Sequence, residues 1–428
     1  MKSDKQIQSV KEVKEVLEIF NKEHVDYVLM RNYEFLFGQK PGKDIDIVIF
    51  KKDCIKVEKI LLKLKYYKQK ICPFSNHTGF YKFIFEEEKL IKFHFHTDGI
   101  SGRHAIYLNA NDLFKTKKLV KGIPVISSEN TLILLAIHSN LGKNARKSYV
   151  TKVNEILDKD FDKGHVRQKL NSLIGKNLTQ EFLKFLYSRK FDDLAVLKRT
   201  IKKKLFFKNT LQVFKIRFFC VLWKLKHLIK GAPVISFIGM DGAGKTTLTM
   251  KIKKVFKKNN MKVSLIYTGR GKNNLLPIQK FGRPYKKIEK KLKIPKTLIK
   301  FMYVLFSPVF FFDLLLRFFL VIYPAKLRND IVLTDRFSSD VLLMKHVPDI
   351  LRQFYYIFLP KPTILFYIYN NIETLHKRKP DHPFEDLKRQ EILFEKINKK
   401  IEPVKIKNEK LEFSKNKILK KIFKQIRI

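Results

Sequence analysis

Apolar positions in the first half of the chain switch repeatedly between helical and strand spacing. In "SVKEVKEVLEIF", Val10, Val13, Val16, Leu17 and Phe20 recur every three or four residues, which places them on one helix face. "DYVLMRN" and "DIDIVIF" (44–50) read as strands, and "KVEKILLKLKYY" returns to helical spacing. "FYKFIFEEEKLIKFHFH" predicts a hairpin with its turn at Glu86, Glu87 and Glu88. "TLILLAIHSNL" predicts a helix with Ser127 or Ser128 as its cap, and residues 150–195 are predicted helical and densely charged.

The second half has a different pattern. "PVISFIG" is the short continuous apolar run of a buried strand, followed by a glycine-rich loop and a helix over "KTTLTMKIKKVF". Further strands are predicted in "VSLIYTG" (263–269), "IVLTDR" (331–336), "TILFYIY" (363–369) and "PVKIK", and a last helix carries Ile418, Leu419, Ile422, Phe423 and Ile426 on one face. Strands alternating with helices predict an α/β unit with a parallel sheet covered by helices on both faces. Between the halves lies a basic amphipathic stretch. The expected division is therefore 1–195, a linker at 196–230, and 231–428.

Composition narrows the function classes. A chain of 428 residues can build two cores, and 45% hydrophobic with 13% aromatic residues excludes a disordered protein. The net charge of +49 attracts anions: nucleotides, phosphorylated metabolites, nucleic acid or an acidic membrane leaflet. No aromatic-interleaved or zinc-finger spacing singles out nucleic acid. Cys54, Cys72 and Cys220 are scattered in no metal-like spacing, a reduced intracellular pattern, and "MKSDKQIQSV" lacks the apolar core of a signal peptide. A cytoplasmic protein is expected, with peripheral membrane contact through 196–230 and 301–323 left open. The run "FMYVLFSPVFFFDLLLRFFLVIY" (301–323) is long enough to span a bilayer. Ser307, Pro308, Asp313 and Arg317 interrupt it, and a charge at mid-bilayer costs about 2.5–3.5 kcal/mol. Asp313 and Arg317, four residues apart, can pair on one face, so a buried or interfacial helix is expected.

The chemistry concentrates in "FIGMDGAGKTTL" (237–248). Gly239, Gly242 and Gly244 let the backbone turn tightly and aim N–H groups at one point, where the following helix adds its positive end. Lys245 is placed to reach the β- and γ-phosphates of a nucleotide and Thr246 to ligate Mg2+, with Asp241, Ala243 and Thr247 completing the candidate loop. Asp335, at a strand end, is a candidate for the Mg2+ shell. Arg336 beside it is a candidate for gripping an acceptor phosphate. Lys377, Arg378, Lys379 and Arg389 form a dense basic run suited to a lid over a transferring phosphoryl group.

"GMDGAGKTTL", "VLTDRF" and "KPTILFYIYNNIETLHKRK" together resemble the thymidylate-kinase-like branch of the P-loop kinases, over residues 231–428. That resemblance implies ATP and Mg2+ as cofactors and a phosphorylated small molecule as acceptor. Asp241 matches the acid that faces the acceptor sugar, Arg336 the arginine that faces the acceptor phosphate, and Arg378 a basic lid position. The chain departs from the pattern in two places. "YTGRGKNN" stands where the family has Arg-Glu-Pro-Gly-Gly, and "FSSDVLLMKH" replaces the thymine-reading segment, so thymidine monophosphate does not follow as the acceptor. Arg270 and Lys272 are candidates for meeting an anion after the second strand.

The first half suggests a second site. Asp44 and Asp46 alternate along one strand and project from one sheet face, as carboxylates do around a two-metal centre. "YVLMRN…DIDIVIF" and the later "LIKFHFHTDG" resemble small nucleotidyltransferase-like proteins, which implies an α+β fold with Asp44 and Asp46 as metal ligands. His94 stands at the family's third acidic position and His96 at its histidine. Asp98 is a possible substitute acid from a turn, and His138 also fits. The expected activity is ATP-dependent phosphoryl transfer by the second half. Two alternatives are a nucleotidyltransferase using Asp44 and Asp46 with an accessory ATP-binding domain, and a non-catalytic ATP-binding regulatory or membrane-peripheral protein.

Overall fold

A computed structural model describes residues 7–31, 33–38, 44–69, 71–102, 105–141, 147–208, 210–269, 273–278, 295–344, 346–380 and 383–426. The chain divides into two compact units between Lys226 and His227.

The first unit is built on a seven-stranded mixed sheet. Its strands are β1 (Tyr27–Arg31), β2 (Ile45–Ile49), β3 (Tyr67–Lys68), β4 (His77–Ile84), β5 (Lys89–Thr97), β8 (Lys118–Val120) and β9 (Ile123–Val125). They lie in the order β3-β4-β5-β2-β1-β9-β8. A separate ribbon pairs β6 (Gly99–Gly102) with β7 (Ala105–Asn109). The hairpin β4–β5 forms with Ile84 opposite Lys89, as the alternation predicts. Strand alternation sends Leu29, Ile47 and Ile49 to a core shared with Val13, Val16, Leu17 and Phe20 of the Ile7–Lys22 helix. Val28, Met30 and Val48 enter a second core shared with the Ser128–Leu141 helix. Ser127 is that helix's cap: its Oγ accepts from Asn130 N at 3.2 Å.

The basic stretch as far as Lys226 falls within the first unit. Ile201 and Leu205 of the Lys198–Lys208 helix and Val213 of the Thr210–Lys230 helix are buried in the second core of the first unit. Phe219 stacks on Phe74 at 4.6 Å, and Cys220 lies against Cys72, both cysteines free. Apolar residues at helical spacing give these helices a packing face, which outweighs their Lys content.

The second unit carries five parallel strands flanked by helices. They are β10 (Val234–Ile238), β11 (Val263–Tyr267), β12 (Ile331–Asp335), β13 (Ile364–Tyr369) and β14 (Val404–Lys407), in the order β11-β12-β10-β13-β14. Every residue of β10 and β12 is buried, as expected of central strands covered on both faces. The Leu411–Gln425 helix buries Ile418, Leu419, Ile422 and Phe423, the face its spacing predicts.

The apolar run at 301–323 lies in the Lys296–Arg317 helix, a π-helical turn at Phe318–Ile322 and the Tyr323–Arg328 helix. Pro308 interrupts the first helix and cannot donate to the carbonyl of Val304. The hydroxyl of Ser307 donates to that carbonyl at 2.7 Å instead. Asp313 and Arg317 form the expected ion pair, almost fully buried.

Candidate active site

β10 runs into the glycine loop, and the loop into the Lys245–Lys258 helix. Gly239 has φ +151°, and a Cβ there would lie 2.0 Å from the carbonyl oxygen of Ile368. Gly244 has φ +87°, and its Cβ would meet Asn408 Nδ2 at 2.4 Å. The loop therefore requires glycine twice over, through backbone angle and through close approach.

Parallel pairing of β10 with β12 sets Phe237 opposite Asp335, which brings the strand end carrying Asp335 and Arg336 beside the loop. Thr246 Oγ1 donates to Asp335 Oδ2 at 2.8 Å. The other carboxylate oxygen, Asp335 Oδ1, is buried without a hydrogen-bond partner. A buried anionic oxygen next to a threonine hydroxyl is a hard, oxygen-only donor set, which suits Mg2+.

Lys245 is buried, and its Nζ donates to the carbonyl of Met240 at 2.7 Å and stands 3.9 Å from Asp241 Oδ1. Burial, with the repulsion of Arg336 behind it, pushes its ammonium down to about 8 against the pull of Asp241, Asp335 and Asp340. Arg336 adopts φ +66°, a costly angle for a side-chain-bearing residue. Its Nη2 donates to Asp241 Oδ1 at 3.1 Å, and its Nη1 lies 3.5 Å from Asp340 Oδ1. Asp340 chiefly, then Asp241, raises its already high pKa despite burial.

Asn408 is a site residue that sequence reading missed. Its Nδ2 donates to Ala243 O at 2.8 Å, and its backbone carbonyl accepts from Asn370 Nδ2 at 2.8 Å and Arg378 Nη2 at 3.4 Å. Arg378, at the end of the Ile372–Arg378 helix, is thus two contacts from the glycine loop. Arg389 instead pairs with Asp386 at 2.7 Å on the Phe384–Ile401 helix. Thr247 is exposed on the first turn of the Lys245–Lys258 helix. Arg270 and Lys272 lie outside the described residues.

In the first unit a cavity of about 350 Å³ is lined by Arg31, Asp46, His77, His94, His96 and His138, among others. Asp44 precedes β2 and is not among the lining residues. Asp46 is buried, and Arg31 Nε donates to its Oδ2. His96 Nε2 and His94 Nδ1 stand 3.6 and 3.8 Å from its Oδ1. Burial alone would raise this carboxyl, but His96 and Arg31 outweigh it and hold the group well below the usual carboxylate range. Burial lowers His94 against the opposing pull of Asp44 and Asp46, which favours its neutral form. Asp98 does not enter the cavity: its Oδ1 accepts from Lys51 N at 2.9 Å. His138 Nδ1 lies 3.1 Å from the Tyr107 hydroxyl. His77 carries no signal in the sequence; its cross-strand register opposite His96 on β4–β5 brings it in. Among the described residues no group of three or more His, Cys, Asp or Glu is placed to hold a metal ion.

No protein-family model matches the chain, and no curated protein matches it. Among solved structures, it is similar to thymidylate kinase from Ehrlichia chaffeensis, at 20% identity and a TM-score of 0.30, covering 45% of this chain and 98% of that one. The second unit, a five-stranded parallel sheet flanked by helices, is consistent with a P-loop kinase-like fold.

Proposed function

We propose that the second unit transfers the γ-phosphoryl group of ATP to a phosphorylated small molecule. The observation that carries this reading is the 2.8 Å bond between Thr246 and Asp335, which sets a buried, half-partnered carboxylate against the first turn of a glycine-loop helix. Thr246 and Asp335 are the residues that would hold Mg2+, which on binding supplies positive charge to the donor phosphates. The backbone N–H groups of the glycine loop bind the triphosphate, and Lys245 places its ammonium on the β- and γ-oxygens, leaving the carbonyl of Met240. Arg336 binds the acceptor phosphate bidentately, and its departure frees Asp241 to accept from an acceptor hydroxyl. Arg378, held beside the loop through Asn408, adds charge at the donor side. These cations act in a partly buried crevice, where the positive charge needed by the transferring group is preorganised.

Incubation with γ-labelled or α-labelled ATP and a panel of sugar and nucleoside monophosphates tests the proposal. Transfer of γ-label to a small acceptor, lost in Lys245→Ala, is the expected result. Incorporation of α-label, lost in Asp46→Asn, would assign the activity to the first unit instead.

A further inference from the structure

The Lys296–Arg317 helix is amphipathic in the inverted sense. Beyond its first turn, Ser307, Asp313 and Arg317 lie on its inward face, 3%, 0% and 2% exposed. Asp313 accepts from Leu275 N, Leu276 N and Asn274 Nδ2 at 2.7–2.9 Å, and Arg317 Nη1 donates to Gly269 O at 3.2 Å. Outward, every exposed residue from Phe301 through the π turn to Val321 is apolar. Phe301, Leu305, Phe306, Phe312, Phe319 and Leu320 are each more than half exposed. Their spacing follows one side of the helix.

The Asp349–Phe358 helix extends this surface. Tyr355 packs inward, stacked on Phe311 at 5.0 Å with its hydroxyl 3.0 Å from Ser307 Oγ, while Phe354, Ile357 and Phe358 remain exposed. A continuous apolar face of this kind is far from the scattered exposed side chains of an ordinary monomer surface, and it requires an apolar cover.

We infer that this face docks on an anionic membrane, with the Phe301–Leu320 stripe lying in the boundary between headgroups and acyl chains. Two observations select lipid over a protein partner. A protein interface is bordered and crossed by hydrogen-bonding groups, whereas the exposed residues of this stripe carry no side-chain polar atom. The chain bears +49 net charge, and Lys300 in the Lys296–Arg317 helix, Arg328 at the end of the Tyr323–Arg328 helix and Lys361 just past the Asp349–Phe358 helix are exposed. An acidic leaflet complements that charge, whereas a second copy would bring the same sign against it. The rod Thr297–Arg328 is long and apolar enough to cross a bilayer, and only a third of its most apolar window is buried in the protein. Its inward ion pair and the bonds to Gly269, Leu275 and Leu276 tie it to the sheet unit, so it lies along the surface rather than crossing it.

Cosedimentation of the full chain with phosphatidylcholine vesicles, with and without phosphatidylglycerol, tests this. Binding to the anionic vesicles, weakened by salt, is expected. The double substitution Phe312→Glu, Phe319→Glu should lower partitioning by roughly tenfold or more, since it removes two aromatic groups from the apolar layer. Phe413→Glu, at an exposed position of the Leu411–Gln425 helix, should leave it unchanged. As a readout that does not depend on a charge-bearing variant, the indole introduced by Phe312→Trp in a Trp223→Phe background should be quenched by brominated acyl chains. Absence of binding to anionic vesicles, equal binding by the double variant, or an indole that brominated lipid leaves unquenched would each overturn the inference. So would self-association in buffer that the double variant abolishes, which would give the face to a second copy of the chain.

Discussion

Thr246 Oγ1 donates to Asp335 Oδ2 at 2.8 Å, joining the first turn of the glycine-loop helix to the end of the neighbouring strand across 89 residues of sequence. Thr246→Val removes this donor and leaves both Asp335 oxygens without their protein partner. The second unit should lose about 1–3 kcal/mol of stability. Thr246→Ser should restore it. Urea unfolding of the two variants side by side checks the difference.

Lys245 titrates near 8 in the folded chain, below its ordinary 10.5. Between those values the unfolded chain binds more protons than the native one, so stability rises with pH across that window; below it the penalty of burying this ammonium is fully present, and above it the penalty is gone. Comparison with Lys245→Met isolates the slope. Phosphate oxygens favour the charged form, so ATP binding above pH 8 should take up a proton. Calorimetry in buffers of different ionisation enthalpy reads that uptake, which Lys245→Met should abolish.

Gly239→Ala forces a Cβ to within 2.0 Å of the Ile368 carbonyl at a backbone angle that side chains avoid. Because the obstacle is backbone, relief requires β13 to shift. A loss of about 2–4 kcal/mol is expected, with ATP affinity falling alongside. Thermal unfolding and equilibrium binding measure the two effects.

Asp46 is buried while Arg31 keeps about a quarter of its side chain exposed, so Arg31→Met leaves the carboxylate with His96 and His94 as its neighbours and should destabilise the first unit by about 1–3 kcal/mol. The Asp46 pKa is depressed from 3.8 on folding. Its stabilising contribution is therefore complete above that unfolded value and is lost as the pH falls toward the lower folded one. Acid unfolding followed by circular dichroism should show a shallower pH dependence in Asp46→Asn.

The legible features of the sequence are those written locally. Short, mostly apolar stretches form β10 (VISFI) and β12 (IVLTD), and the glycines of 239–244 sit where a turn between strand and helix demands them. Asp335 and Arg336 can be placed from sequence because parallel strands end on one side of a sheet. Asn408 escapes notice because its partner, the carbonyl of Ala243, lies 165 residues away and an isolated asparagine carries no pattern. His77 joins the first unit's cavity only through its register with His96. The interrupting Ser307 and Pro308 and the spacing of Asp313 and Arg317 read the long apolar helix as buried or interfacial. Only packing reveals that Asp313 and Arg317 face inward while Phe301, Phe306, Phe312 and Phe319 face outward.

Calorimetric titration of ATP into the full chain, with and without Mg2+, for the native protein and Asp335→Asn, tests the central claim most directly. The amide keeps an oxygen to accept from Thr246 and removes only the negative charge. Binding strengthened by Mg2+ in the native protein, with that gain lost by roughly tenfold or more in Asp335→Asn, is the expected outcome for a charge-assisted oxygen site. Equal Mg2+ dependence in both proteins, or no ATP binding in either, would contradict it.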